Sequence, residues 1–242
     1  MNNFVIAIAP TKTMHHSDVS PKHNTQLFEV AHKTVLKKIQ SLSYEALKDV
    51  LKASDKLVKA AQENIVSALE EDAALFAYAG AQFSALDVNS LTALESDYLE
   101  AHAIILSGLY GVLRPYDRVM HYRLPMASKV DGIALTKYWK GHVETFFQDK
   151  TIINLASKEY ADILPKKNLI TIRFMTKKGE TLKTTPGVHA KPTRGMFLRE
   201  AARKQAKSVK AFQRIVANEH YFSEADSSEL EWVYIKNGSK AV

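Results

Sequence analysis

Short apolar runs and apolar stripes at helical spacing alternate along the chain. Residues 4–9 form an apolar run that ends at Pro10, which predicts a first β-strand. Similar runs predict buried strands at 103–106 and 151–155, and the spacing of residues 135–147 predicts a helix between them. Because strands and helices alternate over much of the chain, we predict a mixed α/β fold with one antiparallel portion.

The N-terminal third predicts two helices joined by a short turn. Ser43 begins the first helix, Ser54-Asp55-Lys56 interrupts it, and a second helix follows, which gives a helical hairpin over residues 43–69. Around the hairpin, the pattern predicts a helix from a cap at Asn24 or Thr25 to about residue 40, a strand at 74–78, and a helix capped by Ser90 that ends near residue 101.

The C-terminal half predicts a strand hairpin, a basic helix and closing strands. Residues 169–175 and 180–185 bracket a Lys-Lys-Gly turn signal. A helix is predicted from about Pro192, and Ser208 has the side chain of an N-cap that would divide it. Closing strands are predicted at 221–222 and 230–235. No repeat or flexible linker interrupts the chain, so we predict a single domain over residues 1–242 with helices around a mixed sheet.

The composition excludes several classes of protein. The 242 residues are 46% hydrophobic, which can supply a sizeable core, and no run reaches the roughly 18 apolar residues of a membrane span. Cysteine is absent, which excludes disulfides, zinc–thiolate sites and iron–sulfur clusters. The N-terminus lacks the basic start of a signal peptide. We therefore expect a cytoplasmic protein that does not use a membrane.

Positive charge is concentrated in one segment. The net charge is +7, but residues 166–214 hold 14 Lys and Arg against Glu180 and Glu200, so the rest of the chain is net negative. This distribution suits a polyanionic partner, and the plain alternative is a solvated basic face. If the segment after Pro192 were one helix, a cationic stripe would hold Arg199, Arg203, Lys207, Lys210 and Arg214.

Two loops after predicted strands carry candidate binding chemistry. In Pro10-Thr11-Lys12-Thr13, a lysine and hydroxyl groups could bind an anion, although the glycines of a P-loop are absent. Residues 107–115 (Ser-Gly-Leu-Tyr-Gly-Val-Leu-Arg-Pro) follow a predicted buried strand, where α/β folds place ligands. The structural alternative is a tight turn whose tyrosines close the core. The candidate anion or nucleotide cleft comprises Lys12, Thr13, Ser107, Gly108, Tyr110, Arg114, Tyr122, Arg123 and Arg194.

Metal chemistry has little support in the sequence. The nine histidines form none of the zinc hydrolase patterns, and the neighbours His15 and His16 cannot both face one site on a regular element. We expect no metal site and no cofactor.

A series of short motifs extends over nearly the whole chain. They are Pro-Thr-Lys-Thr at 10–13, Ser-Asp-Lys-Leu at 54–57, the run at 106–115 with Asp117, Tyr-Arg-Leu at 122–124, the helix of Trp139, Ile-Asn-Leu-Ala-Ser at 153–157 with Glu159-Tyr160, Arg194-Gly195 and Tyr221-Phe222. In this order they resemble the YaaA family, bacterial proteins linked to resistance to peroxide stress.

The resemblance implies a single mixed α/β domain with a positively charged cleft. It implies binding of double-stranded DNA, with a helix-hairpin-helix element contributing, and a role in limiting peroxide damage when iron is available. Together with the charge pattern it suggests DNA-binding residues at Ser54, Lys56, Lys59, Lys191, Arg194, Arg199 and Arg203. It also favours the helix break at Ser208. Ala9 stands where the family usually carries Ser or Thr, so one possible hydroxyl donor is missing.

An enzymatic alternative stays open. Binding a duplex does not require a Ser-Gly-x-Tyr-Gly turn near Lys12, whereas a pocket for one nucleotide, nucleoside or DNA base would use such hydroxyl and aromatic groups. The turn at 107–111 carries these groups. Lys12 and Arg114 would bind phosphate, Tyr110 would stack on a base or transfer a proton, and Ser107 would donate to an oxyanion. The catalytic candidates are Lys12, Ser107 and Tyr110. Direct iron binding is disfavoured because the His and carboxylate residues are scattered, so we expect any effect on iron to be indirect.

Overall fold

An eight-stranded mixed sheet forms the centre of the protein in a computed structural model, which describes residues 3–70 and 72–237. The strands in chain order are β1 (Phe4–Ile8), β2 (Thr13–Met14), β3 (Asp72–Ala73), β4 (Tyr78–Ala79), β5 (Ala103–Ser107), β6 (Gly111–Leu113), β7 (Arg118–Val119), β8 (Lys129–Val130), β9 (Ile133–Ala134), β10 (Thr151–Asn154), β11 (Leu169–Lys178), β12 (Thr181–Thr184), β13 (Tyr221–Ser223) and β14 (Glu231–Asn237).

The order across the large sheet is β13-β14-β11-β10-β1-β5-β6, and β12 pairs with β11. The five strands from β14 to β5 are parallel to their neighbours, whereas β6, β12 and β13 pair antiparallel. Every residue of β1 and β5 is buried, as expected for parallel strands covered on both faces. The predictions of a mixed α/β fold and of a strand hairpin near residue 179 are confirmed.

Helices surround the sheet. They are α1 (Glu29–Gln40), α2 (Tyr44–Leu51), α3 (Asp55–Ser67), α4 (Ala74–Ala77), α5 (Ala81–Leu86), α6 (Ala93–His102), α7 (Leu135–Phe147), α8 (Lys158–Ala161), α9 (Gly187–Arg203) and α10 (Val209–Gln213). In α7, the apolar stripe that predicted the helix is buried through Trp139 and Val143. No helix within the described ranges is long and apolar enough to cross a membrane.

Several helix boundaries differ from the sequence predictions. The segment before α1 stays irregular, because the Thr25 carbonyl accepts a hydrogen bond from Arg114 and the buried Gln26 side chain donates to the Arg118 carbonyl. α6 begins after Thr92 rather than Ser90, because Thr92 and Glu95 form a capping box. These tertiary and capping contacts override the weaker local signals.

Two further differences concern the segments at 74–78 and after 186. Residues 74–77 form a short helix rather than a strand, with the amide of Leu75 bonded to the Pro115 carbonyl. α9 begins at Gly187 and contains Pro192, because Ala190 and Thr193 pack into the interior. By contrast, the predicted helix break at Ser208 is confirmed, because Ser208 caps α10 and a single helix with one cationic stripe does not form.

Candidate functional site

A large cavity lies beyond the carboxyl end of β10. Its volume is about 840 Å³, and it is lined by Asn154 at the end of β10, by Ser157 beyond that strand, by Thr171 of β11 and by Lys191 of α9. This location follows the rule that open α/β sheets bind ligands beyond the carboxyl ends of their strands. The volume lies in the usual range for small-molecule sites.

The lining of this cavity is strongly cationic. Among the described residues, its basic side chains are Lys140, Lys158, Lys166, Arg173, Lys191 and Arg194, and its one acidic side chain is Asp162. Arg173 is neutralised by Glu231 at 2.8 Å. In the described part of the chain, the other five have no carboxylate within ion-pair distance. A concave surface with this charge concentrates anions.

Arg194 is the least solvated cation of the cavity. It projects from α9 and is partly buried, and burial lowers the pKa of its guanidinium from the ordinary value. Its Nε is buried and has no hydrogen-bond partner among the described residues. A buried donor without a partner costs free energy, so this group is suited to donate a hydrogen bond to a phosphate or carboxylate oxygen of a ligand.

A second cavity continues the positive surface. Its volume is about 520 Å³, and it shares Thr184 and Thr185 with the first cavity. It adds Lys178, Lys183 and Lys236, and Glu219 pairs with Lys236. We call the nine Lys and Arg side chains of the two cavities the cationic band.

The run at 107–115 does not open into either cavity. Ser107 and Tyr110 are fully buried, and Tyr122 is 8% exposed. Ser107 Oγ accepts hydrogen bonds from the amides of Leu109 (3.1 Å) and Tyr110 (2.9 Å), and it is 2.7 Å from Tyr122 Oη. Gly108 is buried too, and its carbonyl accepts a bond from Trp139 Nε1. These residues are packed in the core and line neither cavity.

The buried tyrosines are poor proton donors at neutral pH. Burial raises the pKa of Tyr122 to about 12, and it raises that of Tyr110 well above its ordinary value. Tyr110 Oη donates to Glu70 at 3.0 Å and accepts from the Met120 amide. Both hydroxyl groups are thus satisfied within the protein, and in this conformation they offer nothing to a substrate.

The remaining cleft candidates are dispersed. Lys12, in the loop after β1, and Thr13, the first residue of β2, are both exposed, and Thr11 Oγ1 donates to the Thr13 carbonyl. Arg114 is held by Asp117 and by the Thr25 carbonyl. Arg123 is half-buried near α8. Of the nine predicted cleft residues, Arg194 alone lines the large cavity.

A short connection at residues 52–54 joins α2 to α3, and the predicted DNA-contact residues of this region lie there and in α3. Ser54, Lys56 and Lys59 are all exposed. Asp55 is held between Lys48, at 2.7 Å, and the Tyr44 hydroxyl, at 3.0 Å, which fixes the two helices to each other. None of these residues lines either cavity.

Arg199 and Arg203 have different environments on α9. The Arg199 guanidinium bonds to Glu95 (2.9 Å) and to the carbonyls of Leu86 (3.0 Å), Asp87 and Ser90, so its donors are used internally. Arg203 is exposed and pairs with Glu200. Arg199 therefore joins α9 to the α5–α6 connection and has little to offer a phosphate.

Four cations of the cavity were not among the predicted site residues: Lys140, Lys158, Lys166 and Arg173. Lys166 and Arg173 belong to the basic segment, and Lys158 follows a strand end, so two signals in the sequence pointed to them. Lys140 lies on α7, and only the tertiary structure brings it to the cavity.

Fold and site together define a mixed α/β protein with a cationic cavity at the carboxyl edge of its sheet. A family model described as "Peroxide stress protein YaaA" matches residues 4–226. The chain belongs to this family.

Relatives match nearly the whole length of the chain. A protein of Rickettsia peacockii (strain Rustic) is 31% identical over 245 residues, covering 95% of this chain and 98% of its own. A protein of Lactobacillus johnsonii is 32% identical over 249 residues, covering 97% and 98%. Both are named only "UPF0246 protein".

Proposed function

We propose that the protein binds double-stranded DNA through the cationic band as part of the peroxide stress response. The observation that carries the proposal is the charge of the large cavity, where the described lining has five basic side chains outside any ion pair and one acidic side chain, Asp162. The second cavity extends the same charge along the surface beyond Thr184. Neutralising phosphates releases counterions, which is the main source of affinity in non-specific DNA binding.

The hairpin of α2 and α3 supplies a second contact in this proposal. Exposed lysines near the turn of the hairpin can reach phosphate oxygens, and the backbone amides at the start of α3 add hydrogen-bond donors there. Since the hairpin does not line the cavities, its contribution is separable from that of the band. Phosphate contacts of both kinds position a duplex without reading its sequence.

The test measures duplex affinity by fluorescence anisotropy in three proteins. Lys166→Ala with Lys191→Ala removes two exposed cations of the large cavity. Lys33→Ala with Lys37→Ala removes two exposed cations of α1 that line neither cavity and serves as the charge-matched control. We expect the cavity variant to bind at least about tenfold more weakly, and the control to bind like the wild type. Equal affinities in all three would refute the cationic band as the DNA contact.

A second candidate function is binding of a single nucleotide in the large cavity. The cavity joins its cations to apolar walls from Leu164, Ile172 and Phe174, a combination suited to a phosphate and a base. Thermal unfolding with nucleotides and nucleosides tests it. A rise in the melting temperature of the wild type that is lost in the Lys166→Ala, Lys191→Ala variant supports this function. Firm duplex binding without any shift by small ligands eliminates it.

A further inference from the structure

Three side chains from separate segments meet beside the small strands of the N-terminal half. Asp72 begins β3, which pairs with β7 and so brings His121, just beyond β7, next to it. His16 follows β2. His16 Nδ1 and His121 Nε2 each lie 3.1 Å from the same atom, Asp72 Oδ2, and the two imidazole rings stack with centroids 4.2 Å apart.

The carboxylate in this cluster is held in place. Asp72 is 3% exposed, and its Oδ1 accepts a hydrogen bond from the Ser17 amide at 2.7 Å. That bond turns Oδ2 towards the two imidazoles. A ligand whose second oxygen is fixed by a backbone donor has the outer-shell support that metal-binding carboxylates usually have.

The separations in the cluster suit a metal ion. Ligand atoms bound about 2.1 Å from an ion lie about 3.0 Å apart at octahedral angles and about 3.4 Å apart at tetrahedral angles. Both nitrogen–oxygen distances of 3.1 Å fall in this interval, and all three ligand atoms lie within 4.8 Å of one another. The His16 side chain is 79% exposed and is free to adjust.

We propose that His16, Asp72 and His121 bind one divalent first-row transition-metal ion through Nδ1, Oδ2 and Nε2, respectively. Two neutral imidazoles and one carboxylate select borderline ions such as Zn²⁺ or Co²⁺ over Mg²⁺ and Ca²⁺. Three protein ligands leave at least one position for water or another ligand. The site lies outside the cationic band, so it is a function additional to DNA binding.

The alternative is a buried carboxylate that simply accepts hydrogen bonds from two histidines. It uses the same contacts but predicts no stoichiometric metal binding. His15 provides a matched control, because it is an exposed histidine next to His16 that is outside the cluster. If His16→Ala weakens metal binding and His15→Ala does not, the metal binds at the specific cluster rather than to surface histidines in general.

The experiment is isothermal titration of the full chain with Zn²⁺ in a non-coordinating buffer. We expect one ion per wild-type chain, an affinity at least about tenfold weaker in His16→Ala, and an unchanged affinity in His15→Ala. Absence of one-to-one binding in the wild type overturns the proposal, as does equal loss in both histidine variants.

Co²⁺ absorption gives a second readout that does not rest on an exposed ligand alone. We expect visible d–d bands in the wild type and in His15→Ala, and altered or absent bands in His121→Ala and Asp72→Asn. Circular dichroism checks that these two partly or fully buried positions still yield folded protein. Bands that are identical in the folded wild type and in every folded ligand variant contradict the assignment.

Discussion

At the residue scale, the turn at 107–111 is built for packing. Gly111 has φ +76°, a conformation that L side chains rarely adopt, and a Cβ there would lie 2.4 Å from the Trp139 ring. Trp139 is fully buried and donates to the Gly108 carbonyl. The turn and the indole therefore fix each other, which gives Gly111 a packing role.

Gly111→Ala tests this close approach. The left-handed conformation costs about 1 to 2 kcal/mol with a side chain, and overpacking against Trp139 adds about 1 to 3 kcal/mol. We expect the free energy of unfolding, measured by urea denaturation, to fall by about 3 kcal/mol. Gly132→Ala is the control, since Gly132 also has a positive φ but an added Cβ there would meet no atom within 4 Å. Equal losses in the two variants would show that the indole contact contributes nothing.

The Glu70 carboxylate makes the stability of the fold depend on pH in the acid range. Its carboxylate interacts with Tyr110, Gln26 and His32. Burial raises the pKa of this carboxyl, but the hydrogen bonds outweigh burial, so the pKa lies below its ordinary value of 4.5. A group whose pKa is lowered by folding stabilises the protein above the unfolded pKa, and this contribution is lost as the pH falls through the folded value.

We therefore expect Glu70→Gln to be less stable than the wild type at pH 7, with a difference that narrows as the pH falls below about 4.5. The measurement is the urea midpoint of both proteins between neutral pH and about pH 3. If the urea midpoints of the two proteins differed by the same amount at every pH, Glu70 would not be the group whose protonation lowers the stability.

At the element scale, α9 depends on a close contact with α5. A Cβ at Gly195 would lie 2.0 Å from the Gln82 carbonyl oxygen, which belongs to the backbone and has little freedom to move. Glycine at 195 thus allows the two helices to approach, and Arg199 then bonds to the carbonyls at the end of α5 and just beyond it. This packing orients α9 so that Lys191 and Arg194 face the cavity.

Gly195→Ala should disrupt this packing. We expect a loss of about 3 kcal/mol or more in the free energy of unfolding, because a backbone atom must shift to make room. Gly141→Ala in α7 is the control, since its added Cβ meets no atom within 4 Å. It should instead stabilise the protein by about 0.5 to 1 kcal/mol through helix propensity. Similar effects in both variants would contradict a role for the α5–α9 contact.

At the scale of the whole molecule, the separation of charge governs the proposed DNA binding. The segment 166–214 has more positive charge than the whole chain has in excess, because the rest of the chain is net negative. Folding places six cations of this segment with Lys140 and Lys158 around two adjoining cavities. The affinity for a duplex should therefore depend on salt in proportion to the number of phosphates neutralised.

A salt titration of duplex affinity measures that number. We expect log K to fall linearly with log salt concentration. In the Lys166→Ala, Lys191→Ala variant the slope should be shallower by about 2, one for each lost contact. The slope of the Lys33→Ala, Lys37→Ala control should equal that of the wild type. Equal slopes in the two variants would show that the contacts lie elsewhere, with the hairpin as the next surface to test.

The sequence by itself determined the fold class and most of the elements. Unbroken apolar runs such as 4–9 and 103–106 are typical of strands buried on both faces, and the stripe at 135–147 is typical of a half-buried helix. The N-caps at Ser43 and Ser208 could be predicted from the sequence, because a cap is a contact between residues within four positions of each other. The starts of α1 and α9 could not be predicted from the local sequence, because contacts with distant segments determine them.

Only the tertiary structure decided which chemistry is available. A glycine-rich turn after a strand has the same local sequence whether it faces a ligand or the core, and here Trp139 and Tyr122 close over it. The sequence of a basic helix does not show which arginine forms its hydrogen bonds within the protein, as Arg199 does. His16, Asp72 and His121 are far apart along the chain, and short-range patterns cannot register a cluster that β3–β7 pairing brings together.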